Sequence, residues 1–378
     1  MLLCAAQLLG YAQHFMLAPV LPLYLTKLGG SPFVVGVVLA CFAVTSVLVR
    51  PVVGHWADRH SEARVMIAGL LFQAISVFFC FIPLIPATAL ANGLRGVGWA
   101  GLNTGGYSLL ALIAPETRRG AASGMYSGVQ SSAQIFFPPI ALSLLYASFG
   151  GYGAVFVVTA LFSITGALTG YMLASAVPPR ARLRSTTEET DWWREIFHFV
   201  EPEIFLPSVL LLWLNISLPS ITNFIILYAR ELGIGNFAPY FVAIGATSML
   251  ARPVLGRLSD KIGRARSVAA GFLFQVSALL LITVMSNLPG VIFCGALYML
   301  GNAIGSSTTL ALAVERADPK RRGKQMATFS VAYPLSYGVG SLITGGAIDI
   351  AGYVGMFLIL AALQIAGLFF AAARRSDL

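Results

Sequence analysis

RPVVGHWADR, residues Arg50 to Arg59, returns in the second half of the chain as RPVLGRLSDK, residues Arg252 to Lys261. The match continues downstream in a nearly constant register. AGLLFQ at Ala68–Gln73 recurs as AGFLFQ at Ala270–Gln275, Arg118-Arg119-Gly120 recurs as Arg321-Arg322-Gly323, and Gly151-Tyr152 recurs as Gly352-Tyr353. A repeat this long means a duplicated structural unit, so the chain divides into two halves built alike and running in the same direction.

The composition says where such halves can sit. Of 378 residues, 57% are hydrophobic and 10% are charged, against about a quarter charged in a soluble domain. Apolar stretches such as 65–83, 152–177, 205–228, 267–285 and 352–373 reach the length of a membrane-crossing helix. Twelve spans are predicted, near 4–26, 33–53, 65–85, 87–113, 121–147, 153–176, 205–229, 238–256, 267–287, 289–313, 324–348 and 353–373. The expected fold is an all-α membrane protein of two pseudo-symmetric six-helix bundles. Residues 1–176 form one bundle and 205–378 the other, with 177–204 as a linker whose DWWREIFHFV stretch (191–200) suits a short helix on the membrane surface, stopped by Pro202 and Pro207.

The net charge of +9 comes from 24 Lys and Arg against 15 Asp and Glu. All of the basic residues except Lys27, Arg95 and Arg230 fall in alternate connections, at the span ends beside them or in the C-terminal tail, on one side of the predicted spans. That asymmetry is the positive-inside signal. It places both termini in the cytoplasm and explains the charge without nucleic acid. Cys4, Cys41, Cys80 and Cys294 lie within spans at unpaired spacing, so neither a disulfide framework nor a metal site is expected. No cofactor is expected either. The chain starts directly in an apolar run, which reads as an uncleaved first span.

The stretch LRGVGWAGLNTGG (94–106) contains a literal G-x-G-x-x-G at Gly96, Gly98 and Gly101. A dinucleotide fold needs a strand before that motif, and here it lies inside an apolar span. Glycines in a span instead let helices pack closely. Arg95 stands among them, the one charged side chain placed deep in a span, and a buried charge of this kind points to function. Asn92, Arg95, Trp99 and Asn103 share a helical face. Tyr11 and His14 form a similar stripe with Gln7 in span one. Span seven offers Asn215, Asn223 and Thr222, and span ten offers Tyr298, Asn302 and Ser306. Gln130 and Gln134 in span five are further candidates.

Taken together, the chain resembles the major facilitator superfamily, the loop after spans two and eight carrying most of the likeness. The family pattern G-x-x-x-D-[RK]-x-G-x-[RK]-[RK] fits Gly256, Asp260, Lys261, Gly263 and Arg266, and in part Gly54, Asp58, Arg59 and Arg64. The resemblance implies a charge latch between the bundles, built from Asp58 and Asp260 with Arg50, Arg59, Arg252 and Lys261, with Gly54 and Gly256 admitting a neighbouring helix. It also implies a central cavity walled by spans one, four, seven and ten, and alternating access to it. Arg95-Gly96-Val97-Gly98 is loosely similar to a span-four pattern of proton-coupled exporters, whereas the span-five export signature is degraded here: Gly124 and Pro138 keep its register, but Ala133, Phe137, Ala141 and Leu142 replace glycines.

The expected activity is therefore proton-coupled efflux of a small neutral or anionic organic compound through the cell (inner) membrane, by a monomer. His14 facing Arg95 is the expected protonation switch. Uptake or exchange of an anionic metabolite, with Arg95 as its ligand, is the alternative; a transporter-like sensor or scaffold is a third reading. No nucleophile, paired acids or P-loop points to an enzyme or an ATP-driven pump.

Overall fold

The computed structural model describes residues 1–59, 61–114, 119–176, 202–318 and 322–375; within them, the side chains of 58, 59, 111, 119–121, 176, 252, 253, 256–260, 322–324 and 327 are not described. The predicted surface helix at 191–200 lies outside the described residues. Every element among those residues is helical: α1 (Leu2–Lys27), α2 (Pro32–Arg59), α3 (Glu62–Cys80), α4 (Ile85–Ile113), α5 (Arg119–Tyr146), α6 (Tyr152–Ala176), α7 (Pro202–Glu231, interrupted), α8 (Ala238–Ile262), α9 (Arg264–Leu281) and α10 (Leu288–Arg316). The last helical stretch, Arg322–Ala373, is broken at Gly352 (φ 68°), a left-handed backbone that an L side chain resists. It is therefore two helices, α11 (322–351) and α12 (353–373).

Eight of these helical stretches, counting 328–373 as one, are long and apolar enough to cross a bilayer. The polar content of α4 and α5 keeps them off that tally, and its cause is visible: their polar residues face a cavity instead of lipid. In α8 the apolar stretch among the described residues, Ala238–Ala251, is shorter.

In a bilayer the interior is no drier than the lipid, so close packing and hydrogen bonds, more than burial, hold helices together. The glycines serve that packing. A Cβ on Gly98 would lie 2.6 Å from the Gly69 carbonyl oxygen, and one on Gly101 3.0 Å from Gly69 Cα. The second half repeats the arrangement: a Cβ on Gly271 would lie 3.0 Å from the Gly301 carbonyl oxygen, and one on Gly301 2.6 Å from that of Gly271. Thus α3 rides on α4 as α9 rides on α10, and the sequence repeat is a repeat in backbone contact.

One departure from the sequence reading follows from proline. Span seven was expected to be continuous over 205–229, but α7 runs as Pro202–Asn215, passes through a π turn at Ser220–Phe224, and resumes at Ile225–Glu231. Pro219 has no N–H to give the preceding turn, so the ladder opens there. Pro202 opens α7 and Pro207 lies within it; the surface helix they were expected to stop lies outside the described residues.

The halves meet mainly through α2 against α11 and α5 against α8. At the ends remote from the basic connections a single apolar cluster joins them, with Leu23, Val35, Val38 and Leu39 from the first half packed with Phe224, Tyr228 and Ile348 from the second. Asp349 accepts there from Ser31 Oγ (2.7 Å) and from the Phe33 backbone N–H (3.2 Å).

Candidate substrate cavity

Between the halves lies a cavity of about 1480 Å³. Its wall descends to Arg50, Gly54 and His55 of α2, Ser108 of α4, Ser127 of α5, Leu310 of α10 and Met326 of α11, all near the basic ends of their helices. The opposite ends are shut by the apolar cluster and Asp349. The cavity thus opens on the basic side alone.

Its closed apex holds the buried charge. Arg95 is 3% exposed. Its Nη1 donates to Asn92 Oδ1, while Asn92 Nδ2 donates to the Val38 carbonyl at 2.7 Å, anchoring the pair to α2. Its Nη2 sits 3.4 Å from His14 Nδ1 and 3.5 Å from the His14 carbonyl oxygen. The guanidinium carbon lies 5.5 Å from the centroid of the Phe42 ring, a cation–π distance. Arg95 Nε, also buried, has no partner among the described residues. A guanidinium can only donate, so this contact calls for a neutral imidazole accepting through Nδ1. His14 is boxed by rings: Trp99 stacks on it at 4.3 Å, with Phe15 at 5.3 Å and Phe42 at 5.1 Å.

The second half touches this apex directly. Asn223 Nδ2 donates to the Ala18 carbonyl at 3.0 Å, one turn past His14 on α1, and Asn223 Oδ1 accepts from Tyr337 Oη and from Thr222 Oγ1 (2.9 Å). A small void of about 10 Å³ separates His14, Asn92 and Arg95 from Asn223 and Tyr337, about the size of one water probe.

Of the residues singled out by spacing, Tyr11, His14, Trp99, Asn103, Asn223 and Asn302 line the wide cavity, with Gln130 and Gln134 beside them. Tyr11 Oη donates to Asn103 Oδ1 at 2.7 Å. Asn92 and Arg95 border only the apex void. Asn215 and Tyr298 stand behind the wall: Asn215 Oδ1 accepts from Asn302 Nδ2 (3.0 Å), and Tyr298 Oη pairs with Ser217 Oγ (2.7 Å) inside the second bundle. Both are satisfied by neighbours on α7 or α10, which is where a helix in a bundle also needs polar residues. Sequence reasoning missed Phe42, Tyr333 and Tyr337. Phe329, Tyr333 and Tyr337 recur every fourth residue and share a face of α11, a signal that was available.

The predicted latch is only partly described. The side chains of Asp58, Arg59, Arg252, Gly256 and Asp260 lie outside the described residues, and Lys261 is exposed. Gly54 does not receive a neighbouring helix: a Cβ there would meet nothing within 4 Å, because it faces the open cavity. Arg50, expected to pair with a latch carboxylate, reaches across the halves to α11. Its Nη1 donates to Ser330 Oγ (2.7 Å) and to the Ser330 carbonyl (3.0 Å).

The model of the Major Facilitator Superfamily matches residues 3–251 and 240–377. The chain belongs to that family. It is 22% identical, over 92% of its own length and 91% of the other's, to an uncharacterised MFS-type transporter of Methanocaldococcus jannaschii. It is 26% identical to the multi-drug resistance efflux pump PmrA homolog of Lactococcus lactis over 68% of this chain and 65% of that one. Among solved structures, the nucleoside transporter NupG superposes with a TM-score of 0.78 at 14% identity, covering 99% of each chain. As a family member the protein is a membrane-embedded, multi-pass transporter of small molecules and not an enzyme.

Proposed function

We propose that this transporter exports a small neutral or anionic organic compound in exchange for protons, with residues 1–176 and 205–378 rocking about the cavity and 177–204 tethering them. With the basic ends in the cytoplasm, the open cavity is the loading state of an exporter, and both termini are cytoplasmic. The efflux pumps among the relatives support the direction. Among the described lining residues there is no Asp or Glu, whereas Arg50 is present, which disfavours cations.

The observation that carries the coupling is Arg95 Nη2 at 3.4 Å from His14 Nδ1, beneath the closed apex. A proton on Nδ1 removes the acceptor and sets two cations face to face. The contact then breaks one turn from Ala18, where Asn223 ties α1 to the second half. In this scheme His14 carries the proton, Arg95 senses it, and Asn223 with Tyr337 passes the change across the bundles.

The test is accumulation of labelled solutes in cells expressing the intact chain, Arg95→Ala or His14→Gln, with and without a protonophore. Lowered accumulation that both substitutions and the protonophore abolish is expected. Raised accumulation of anions that is indifferent to the protonophore would replace this reading with uptake.

A further inference from the structure

The two arginines near the cavity occupy different surroundings. Arg95 borders only the apex void, and its terminal nitrogens are engaged by Asn92 and His14. Arg50 belongs to the wall of the wide cavity, near its mouth. Both of its hydrogen bonds to Ser330 leave from a single nitrogen, Nη1, in a guanidinium that carries five donors in a fork suited to a carboxylate or phosphate. Its partners in the structure are a neutral hydroxyl and a carbonyl, which an anion can displace.

Arg50 is also at a useful distance. On α2 it stands eight residues from Phe42, whose ring underlies Arg95, so the two arginines are separated by roughly 12 Å along that helix. Between them the wall is aromatic and hydroxylic, with Trp99 and Tyr107 from α4 and Tyr333 and Tyr337 from α11.

We propose that Arg50, rather than Arg95, is the anion-binding group of the cavity, and that the substrate is an elongated amphipathic organic anion. Its carboxylate (or sulfonate) exchanges with Ser330 for Arg50 at the mouth, and its apolar body extends along the aromatic walls toward the apex. This deepens the reading above by assigning substrate charge to one arginine and coupling to the other. Because Arg50 also joins α2 to α11, an arriving anion loosens a contact between the halves as it binds, which links loading to the rocking motion.

The experiment measures equilibrium binding to the full chain in lipid nanodiscs, with no proton gradient, so its outcome is independent of whether transport is proton-linked. The probes are radiolabelled naphthaleneacetate and its uncharged amide. The intact protein is expected to prefer the carboxylate. Arg50→Gln is expected to weaken carboxylate binding about tenfold or more, the scale of a lost hydrogen-bonded charge, while the amide changes by less than roughly twofold. Arg50→Lys is expected to restore part of the preference. Ser330→Ala removes a competitor for the guanidinium, so carboxylate binding is expected to hold or tighten.

Four results overturn the proposal. The intact protein shows no preference for the carboxylate; Arg50→Gln weakens both probes alike; Ser330→Ala weakens the carboxylate as much as Arg50→Gln, the mark of a purely structural tie; or the preference disappears with Arg95→Gln and survives Arg50→Gln.

Discussion

Asp349→Ala tests how the closed end of the cavity is held. Asp349, at the end of α11, reaches the first turn of α2 in the other half, where Ser31 Oγ donates to it at 2.7 Å and the Phe33 N–H at 3.2 Å. Ser31 Oγ in turn accepts from the Val34 N–H at 3.4 Å. The carboxylate thus extends the N-terminal cap of α2 across the seam, where the helix dipole favours it. Asp349 is exposed, so the contribution belongs at the modest end of capping and dipole effects, about 1 kcal/mol. Since 1.4 kcal/mol is tenfold, its loss shifts the balance toward opening on this side by about fivefold.

Leu39 reports that opening. It is 4% exposed, part of the sealing cluster, and borders the apex void. In a chain with Leu39→Cys and the native cysteines replaced by serine, a membrane-impermeant maleimide added on the non-basic side is expected to label about fivefold faster when Asp349→Ala is introduced. Asp349→Asn keeps an acceptor and loses the charge, so a smaller increase is expected. Labelling at an unchanged rate in Asp349→Ala refutes the capping argument.

The other predictions concern packing and coupling. Gly98→Ala drives a Cβ to 2.6 Å from the Gly69 carbonyl oxygen and 2.9 Å from the Gln73 backbone nitrogen, contacts that a side-chain rotation cannot relieve. A loss of about 1–3 kcal/mol is expected as a lowered unfolding temperature in mild detergent, whereas Gly128→Ala, with nothing within 4 Å, is expected to match or exceed the parent. Tyr11→Phe removes the hydrogen bond to Asn103; a cost of about 1 kcal/mol is expected in the same unfolding assay, the tilted ring contact of residue 11 with Trp99 (4.5 Å between centroids) remaining. His14→Gln is expected to flatten the pH dependence of transport in proteoliposomes, and a pH profile parallel to the parent's excludes His14 as the proton carrier. Thiol reagents are expected to modify Cys4 and Cys41 well before the buried Cys80 and Cys294, as mass spectrometry of the labelled protein would read.

Residues alike on paper separate in space. Asn92, Arg95, Trp99 and Asn103 share a face of α4 by helical spacing alone, and that face does border the apex void and the cavity. The same reasoning put Asn215 and Tyr298 on the cavity wall, yet both bond within the second bundle. Spacing defines a face but not what the face looks at, because a bundled helix has neighbours on several sides and polar side chains are satisfied by any of them. Arg50 shows the same limit: its place in a repeated charged loop suggested a carboxylate partner, and it reaches Ser330, distant along the chain, across the seam.

By itself the amino-acid sequence determined the membrane setting, the duplicated halves, the basic side and the close helix contacts at the glycines. These depend on local composition and period, which bilayer thickness and the missing Cβ convert directly into structure. Tertiary structure alone decided which end of the cavity is open, that His14 touches Arg95, and that Arg50 stands in the wall while Arg95 is confined to the apex. Those are relations between helices far apart in the chain, set by how two rigid bundles tilt against each other, and no periodicity within a single helix encodes that tilt.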